Sequence, residues 1–245
     1  NNEYVQDGVY QFFIDHQRRH WIIAWPRYQS GLQVIHCLDS TGRAFLTEDT
    51  VGLNKGPVGY HEFHGFFESS RNAMWAYGSD VLFTYDNALQ AFNYIRSGTD
   101  QININYETIH QLMEDRDGSI WIATDRGLYV TTSANTAFGL VNIIIDNKKT
   151  STSITDIIEM PNGDIWFSTW GGGIRMLDSA LRPKSYDIYQ PAPPAEIGPL
   201  QQSNAKLTWS MCLDQTGENL WIGCQGGLLM IHNLASRQTR YVLVP

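Results

Sequence analysis

The sequence predicts an all-β fold, a β-propeller of five four-stranded antiparallel blades, and three observations support this. A motif of tight turn, tryptophan-bearing strand, second turn and further strand recurs along the 245 residues. No stretch carries apolar residues at helical spacing over about ten positions, as a helical repeat would need. The motif tryptophans are 54, 46, 45 and 55 residues apart, a period typical of propeller blades: Trp21, Trp75, Trp121, Trp166 and Trp221.

Each repeat supplies all four strands of its own blade. In the clearest copy, residues 115–128, an Asp-x-x-Gly turn joins the first two strands. The aspartate side chain is expected to accept hydrogen bonds from nearby backbone N–H groups, and the glycine to take a positive φ. The repeats predict one propeller domain over residues 1–245. A proline-rich insertion separates its fourth blade from its fifth. The predicted blades are about 8–47, 60–97, 107–146, 153–190 and 207–245. The outer strands of the third and fourth blades are predicted over residues 140–145 and 184–189.

The tryptophan of each blade is predicted to be buried between neighbouring blades. An indole of this kind covers about 150–250 Å² of apolar surface. Because blades pack face to face, the inner strands are expected to be apolar on both faces, so that adjacent residues such as Phe12 and Phe13, or Met211 and Cys212, both enter the core.

Composition restricts the class of partner. The chain has 17 basic and 25 acidic residues and a net charge of −8, which disfavours nucleic acid and anionic membrane surfaces as partners. No apolar run reaches the length of a transmembrane helix. The three cysteines are too few and too scattered for a disulfide framework and are predicted to be buried thiols: Cys37, Cys212 and Cys224.

Strand order places a candidate ligand site at one end of the blades. In an up-and-down blade, the Asp-x-x-Gly turns lie at one end, and the turns between the second and third strands lie at the other. Exposed aromatic side chains with arginine and amide neighbours at this second end would suit a sugar or another flat polar ligand. The packing of these rings onto adjacent blades is the alternative. The predicted ligand-binding residues are Tyr10, Trp25, Arg27, Tyr28, His64, Tyr77, His110, Asp125, Arg126, Trp170, Trp209 and Gln225.

The sequence contains no complete motif of the kinds that carry catalysis or bind metal ions. His61 and His64 point to opposite faces of a strand, and the acidic turn that begins at Asp115 lacks the closing glutamate of a calcium loop. We therefore predict no metal, no cofactor and no enzymatic activity. Two alternatives stay open. One is a five-bladed glycosidase or lyase using Asp80, Asp125 and Asp156, and the other is a protein–protein interaction platform.

The repeat resembles a known family. The pattern W-[IF]-[GAS]-T-x-x-G-[GL]-[LI], preceded by D-x-x-G, is similar to the two-component regulator propeller repeat. Trp121–Thr124, Trp166–Thr169 and Trp221–Gly223 carry the resemblance, while the copies at Trp21 and Trp75 are degraded.

The resemblance implies a particular setting for this chain. It implies the periplasmic, non-catalytic sensor of a bacterial hybrid two-component receptor and a segment of a larger protein. The ligand would be a small polar molecule, such as an oligosaccharide. The other parts of the receptor, including a histidine kinase output, would be its partners, and a homodimer is a further expectation.

Overall fold

The computed structural model confirms the predicted all-β propeller class. Within the described residues, strands that follow one another in sequence form five four-stranded sheets. The chain divides into two compact units, of which the first comprises residues 1–120 and 131–139 and the second comprises residues 121–130 and 140–245. The single domain over residues 1–245 stays a prediction. The structure describes residues 8–25, 33–46, 61–98, 103–131, 138–141, 144–145, 148–149, 152–189 and 192–244.

Two complete sheets belong to the first unit, and their neighbouring strands are antiparallel. Both sheets lie within the predicted blades, residues 8–47 and 60–97. The strands of the first sheet are β1 (Gly8–Ile14), β2 (His20–Trp25), β3 (Val34–Leu38) and β4 (Ala44–Leu46). Those of the second are β5 (Glu62–Glu68), β6 (Met74–Ser79), β7 (Leu82–Asp86) and β8 (Ala91–Tyr94).

A third sheet has the order β12-β11-β10-β9, and the division between the units passes through its strands. These strands are β9 (Ile109–Glu114), β10 (Ile120–Thr124), β11 (Gly127–Thr131) and β12 (Gly139–Leu140). The prediction of an outer strand over residues 140–145 is wrong. Ile144–Ile145, as β13, pairs instead with β14 (Lys148–Lys149), so the backbone groups of β13 bond within a separate hairpin.

The fourth and fifth sheets lie in the second unit. The fourth consists of β15 (Ile154–Glu159), β16 (Ile165–Thr169), β17 (Gly173–Leu177) and β18 (Pro183–Lys184). The fifth consists of β19 (Thr208–Leu213), β20 (Asn219–Cys224), β21 (Leu228–Asn233) and β22 (Gln238–Leu243).

The outer strand of the fourth sheet is shorter than predicted, because β18 ends at Lys184 while residues 184–189 were expected to be a strand. Tyr189 lies beyond it and uses its side chain in place of a backbone pairing. Its hydroxyl accepts a hydrogen bond of 3.1 Å from the Ile174 backbone N–H. A Cβ atom at Gly173 would come within 1.9 Å of that hydroxyl, so this contact requires glycine at position 173.

A short helix, α1 (Gly198–Asn204), follows the proline-rich insertion, where the sequence analysis found no helix. Pro199 lies in its first turn, where a fixed φ favours the helix and a missing N–H is harmless. The helix has only seven residues, too few to display an apolar period.

The Asp-x-x-Gly turn forms as predicted. The Asp115 carboxylate accepts hydrogen bonds from the backbone N–H groups of Asp117 (3.0 Å) and Ser119 (2.9 Å). Gly118 takes a φ of +77°. In the two degraded turns, Arg18 and Asn72 occupy the same left-handed region, with φ of +61° and +63°.

Four of the five motif tryptophans are buried, and Trp221 is 40% exposed. Where the packing is described, a buried indole meets the following sheet. Trp21 contacts Tyr85 in the first unit, and Trp166 lies 6.4 Å from His232 in the second, measured between ring centroids. Leu220 and Ile222 alternate with Trp221 and pack in the core that holds Trp166, so the indole of Trp221 is on the opposite face of its sheet.

The expectation that both residues of each inner-strand pair enter the core is wrong in the first and fifth sheets. Phe13 packs against the core of the first unit, but Phe12 is 53% exposed. Met211 is buried, but its neighbour Cys212 is exposed, while Cys37 and Cys224 are buried as predicted. The reason is that, among the described residues, the core covers one face of each of these sheets, and alternation directs every second side chain to the other face.

Candidate functional site

A β-bulge recurs near the start of the inner strands. In four sheets the register of the innermost strand skips one residue. Bulges re-aim a side chain and are common beside functional sites. The skipped residues lie at the end predicted to bind ligand, and three of the four belong to the predicted set: Tyr10, His64, Thr155 and Trp209.

In the first unit, the bulged His64 is bonded to the protein through both ring nitrogens. Its Nδ1 lies 3.1 Å from the carbonyl oxygen of Ile109, and since a carbonyl only accepts, Nδ1 carries the proton. Its Nε2 lies 3.3 Å from the hydroxyl of Ser79. The ring also stacks on His110, with centroids 6.4 Å apart. The structure therefore brings His64 and His110 together, and His64 connects β5 to β9.

The other predicted residues of the first unit are more dispersed. Tyr10 is 50% exposed at the bulge of β1. Trp25 ends β2, is half-buried and pairs with Gly8. The Tyr77 hydroxyl would lie 3.0 Å from a Cβ at Gly65, its cross-strand partner, so the phenol covers that glycine. Arg27 and Tyr28 lie outside the described residues.

In the second unit, the structure brings three predicted residues into contact. The rings of Trp170 and Trp209 lie 4.3 Å apart between centroids. They are 38% and 49% exposed. Trp209 donates a hydrogen bond of 2.8 Å from Nε1 to Oε1 of Gln225. We call Trp170, Trp209 and Gln225 the tryptophan pair site.

The backbone beneath this site is fixed by hydrogen bonds between the fourth and fifth sheets. Trp170 forms a bridge with Leu207, and Gly171 and Gly173 both donate to the carbonyl of Lys206, at 3.0 and 3.1 Å. Lys206 is exposed beside Trp170 in the chain segment that precedes β19. The repeat pattern does not point to Lys206, because this residue lies in a link that follows an irregular insertion.

Asp125 and Arg126 occupy the turn between β10 and β11, as predicted. Arg126 Nε lies 3.6 Å from Asp125 Oδ2, and both side chains are partly exposed. The Arg126 backbone N–H also bonds to the hydroxyl of Thr124. This pair is a local salt bridge of the turn.

Asp156, one of the three acids of the glycosidase alternative, is used by the fold. Its Oδ2 accepts a hydrogen bond of 2.5 Å from the Met211 backbone N–H, and its Oδ1 accepts one of 2.9 Å from Ile157. The carboxylate is buried and connects β15 to β19. This geometry is that of a structural acceptor, and it weakens the case for Asp156 as a catalytic acid.

In the part of the chain that the structure describes, no three His, Cys, Asp or Glu side chains group as ligands for a metal ion. The helix found there is too short to span a bilayer.

Comparison with known proteins identifies the repeat. Residues 103–126, which contain the first turn and the second strand of the third sheet, match the two component regulator propeller family. This segment is a two component regulator propeller repeat. The match includes the Asp-x-x-Gly turn at Asp115 and the tryptophan at position 121, the two features that define this propeller repeat in the sequence. A search of curated proteins finds no match to this chain.

Solved structures with the same fold include receptor domains. The extracellular domain of the hybrid two component system BT4673 from B. thetaiotaomicron superposes with a TM-score of 0.63 at 20% identity, covering 96% of this chain and 30% of that one. The extracellular domain of the hybrid two component system BT3049 from B. thetaiotaomicron superposes with a TM-score of 0.64 at 18% identity, covering 94% of this chain and 28% of that one. PorZ, a type-IX secretion surface component of Porphyromonas gingivalis, superposes with a TM-score of 0.61 at 14% identity, covering 90% of this chain and 31% of that one. This chain therefore spans less than a third of each of these proteins, and the likeness is one of fold.

Proposed function

We propose that this chain is the non-catalytic, ligand-sensing part of a bacterial two-component receptor on the periplasmic side of the membrane. The proposed ligand is an oligosaccharide or a similar polar molecule, bound at the tryptophan pair site. The observation that carries the proposal is the pair of exposed, touching indoles held by Gln225. Two large aromatic side chains, one in a turn and one at a strand bulge, expose apolar surface to water, which suggests a binding role.

The chemistry of the tryptophan pair site suits a sugar. The C–H face of a pyranose ring packs on an indole, while its hydroxyls need donors and acceptors at the edge. Gln225 accepts from Trp209 through Oε1, which leaves the two hydrogens of its amide for a ligand oxygen. Lys206 can supply a further donor at the rim. The hydrogen bonds from Gly171 and Gly173 to the Lys206 carbonyl connect the backbone segments beneath this surface.

Sensing requires that the ligand bind one receptor state more tightly than another. The remaining parts of the receptor, including a histidine kinase output and a second copy in a homodimer, would provide those states. We place the phosphotransfer chemistry outside this chain.

The test is calorimetric titration of the 245-residue chain with a panel of neutral oligosaccharides. For a sugar that binds, we expect Trp209→Ala to weaken affinity by about tenfold or more, because stacking on the ring is lost. Gln225→Ala should weaken it by about two- to tenfold through the lost amide hydrogen bonds.

Trp221→Ala is the matched control, because Trp221 is a similarly exposed indole in the same sheet but lies near the opposite end of β20. It should bind like the unmodified chain. Equal losses in the control and in Trp209→Ala would contradict the site. Hydrolysis of a panel sugar would favour the glycosidase alternative. Binding of a protein that is lost with Trp170→Ala, without any sugar binding, would favour the interaction platform.

A further inference from the structure

A second candidate site lies in the second unit, at the end of the blades opposite to the tryptophan pair site. A cleft of about 350 Å³ opens beside the turn between β15 and β16. Its walls include the side chains of Met160, Trp166, Lys184, Tyr186, Leu234 and Arg237. This volume is at the small end of the range for pockets that bind small molecules.

The indole of Trp166, which lines this cleft, has a buried N–H group without an acceptor among the described residues. The first sheet has the acceptor that the fourth sheet lacks, because Trp21 Nε1 donates a hydrogen bond of 2.9 Å to Oδ2 of the turn aspartate Asp15. In the fourth sheet, Met160 occupies the place of that aspartate in the turn. A buried polar group without a partner is unfavourable, so an acceptor brought by a ligand would be bound favourably. Methionine is flexible enough to move aside for it.

The cationic groups of the cleft are not equivalent. Lys184 Nζ lies 2.5 Å from Asp164 Oδ2, an oxygen that also accepts from Asn162, so its charge is matched within the protein. The Arg237 guanidinium instead lies over the ring of Tyr186, 5.4 Å from its centroid. Within the described residues it makes no ion pair. Arg237 is therefore the cation that is available to an anionic ligand.

The aromatic and apolar walls define the rest of the ligand. Trp166 and Tyr186 lie 5.2 Å apart between ring centroids, and Met160 and Leu234 extend the apolar surface. A second polar network holds Tyr186 in place, because its hydroxyl lies 2.8 Å from Nε2 of the buried His232. A flat ring can pack against the half-buried Tyr186 and Leu234, while a carboxylate at its edge pairs with Arg237.

We propose that this cleft binds a small aromatic carboxylate carrying an oxygen substituent on its ring. The carboxylate pairs with Arg237, the ring packs on Tyr186 and Leu234, and the ring oxygen accepts the hydrogen bond of the buried Trp166 indole after Met160 has moved aside. The inference is independent of the tryptophan pair site.

The test uses the 245-residue chain and 4-hydroxycinnamate as the probe, with binding measured by calorimetry. Arg237→Gln should weaken binding by about tenfold or more, because a charged hydrogen bond is lost. Arg240→Gln is the matched control, an exposed arginine three residues further along the chain that does not line the cleft, and it should bind as before. Both side chains are exposed, so neither change is expected to unfold the protein.

A second variant tests the indole. Met160→Asn places an amide oxygen where Asp15 stands in the first sheet, so it should weaken the binding of the probe while the thermal unfolding midpoint is retained or raised. The proposal is overturned if 4-hydroxycinnamate does not bind, if its methyl ester binds equally well, or if Arg237→Gln has no more effect than Arg240→Gln. Loss of probe binding in Trp209→Ala would also overturn it, since that residue belongs to the other site.

Discussion

At the residue scale, one tryptophan position plays different roles along the chain. Trp166 is buried and meets His232 of the next sheet, whereas Trp221 occupies the same motif position and is exposed. The motif is the same in both copies, so burial is decided by whether a sheet covers that face within the unit. The motif therefore identifies a blade more reliably than it identifies a buried indole.

Trp166→Ala should lower the free energy of unfolding by about 3–5 kcal/mol, because it leaves a cavity in the core of the second unit. Trp221→Ala should cost less than about 1.5 kcal/mol, since much of its surface is already in water. Urea unfolding of the two variants, followed by circular dichroism, provides the comparison. Equal losses of unfolding free energy in the two variants would mean that the side chain of Trp221 is buried in solution.

The turn aspartate determines whether the indole N–H group of the motif tryptophan has a hydrogen-bond acceptor. Burial acts to raise the pKa of Asp15, but hydrogen bonds from Trp21 and Arg19 outweigh burial and keep the pKa below its ordinary value. In the second and fourth sheets, Ser69 and Met160 replace this aspartate, and the indole N–H groups of Trp75 and Trp166 are left without an acceptor among the described residues.

At the scale of the element, the bulged inner strand connects neighbouring sheets. The hydroxyl of Thr155, at the bulge of β15, donates a hydrogen bond of 2.7 Å to the carbonyl oxygen of Thr208. It accepts a hydrogen bond of 2.6 Å from the hydroxyl of Ser168. His64 makes the equivalent connection in the first unit, through its bond to Ile109. Trp209 departs from this pattern because its indole bonds to Gln225, within its own sheet. A bulged side chain can therefore either tie two sheets together or be released for binding.

Thr155→Val should lower the free energy of unfolding by about 1–3 kcal/mol, because valine keeps the shape of threonine but leaves two buried polar groups without their partner. Ser210→Ala is the control. Ser210 follows the bulge of β19, is exposed and makes no hydrogen bond through its hydroxyl to the described residues, so its loss should change stability by less than about 0.5 kcal/mol. Chemical denaturation measures both, and a neutral Thr155→Val would show that the bridge is not needed.

At the scale of the whole molecule, stability should depend on pH through a few buried or hydrogen-bonded groups. Burial lowers the pKa of His232 below its ordinary value of 6.5. Its Nδ1 donates to Thr239, whose hydroxyl donates in turn to the Ile188 carbonyl, so the folded protein holds the neutral ring. Hydrogen bonds from Asn219 and Thr216 outweigh burial at the turn residue Asp214 and lower its pKa to about 2.

We expect the thermal unfolding midpoint to be highest above about pH 6.5 and to fall in two stages on acidification. A base with a depressed folded pKa stabilises the protein above its unfolded pKa, so the first stage begins as His232 is driven to protonate below 6.5. The second stage begins near pH 4, where Asp214 and Asp15, whose pKa values are lowered in the folded protein, would be protonated in the unfolded chain. Calorimetric scans between about pH 3 and 8 test this, and a constant midpoint from pH 7 to 5 would contradict the role of His232.

Much of the fold could be predicted because the repeat is local. Trp121 and its preceding Asp-x-x-Gly turn specify a hairpin, and five such hairpins at a regular spacing specify the blades. The helix at Gly198 and the short β18 could not be predicted, because seven residues show no period and Tyr189 completes the sheet edge with a side chain.

The candidate sites were harder to predict. The predicted end of the blades did bring Trp170, Trp209 and Gln225 together, since strand order fixes which turns share an end. Patterning could not show that His64 and Asp156 are occupied by bonds to the protein, because their partners lie 45 and 55 residues away. The cleft at Arg237 could not be predicted for the same reason, since its walls come from two sheets and the missing acceptor of the Trp166 indole depends on how those sheets pack.

The recurring bulge has a consequence for how such a protein can diversify. The skipped residue is outside the register of the ladder, so its side chain can change without altering the alternation on either side of it. The side chains at the four skipped positions are a phenol, an imidazole, a hydroxyl and an indole, at Tyr10, His64, Thr155 and Trp209. At Tyr10 and Trp209, whose side chains are about half exposed, a different residue can therefore change the chemistry of the blade end while the strand pairing stays intact.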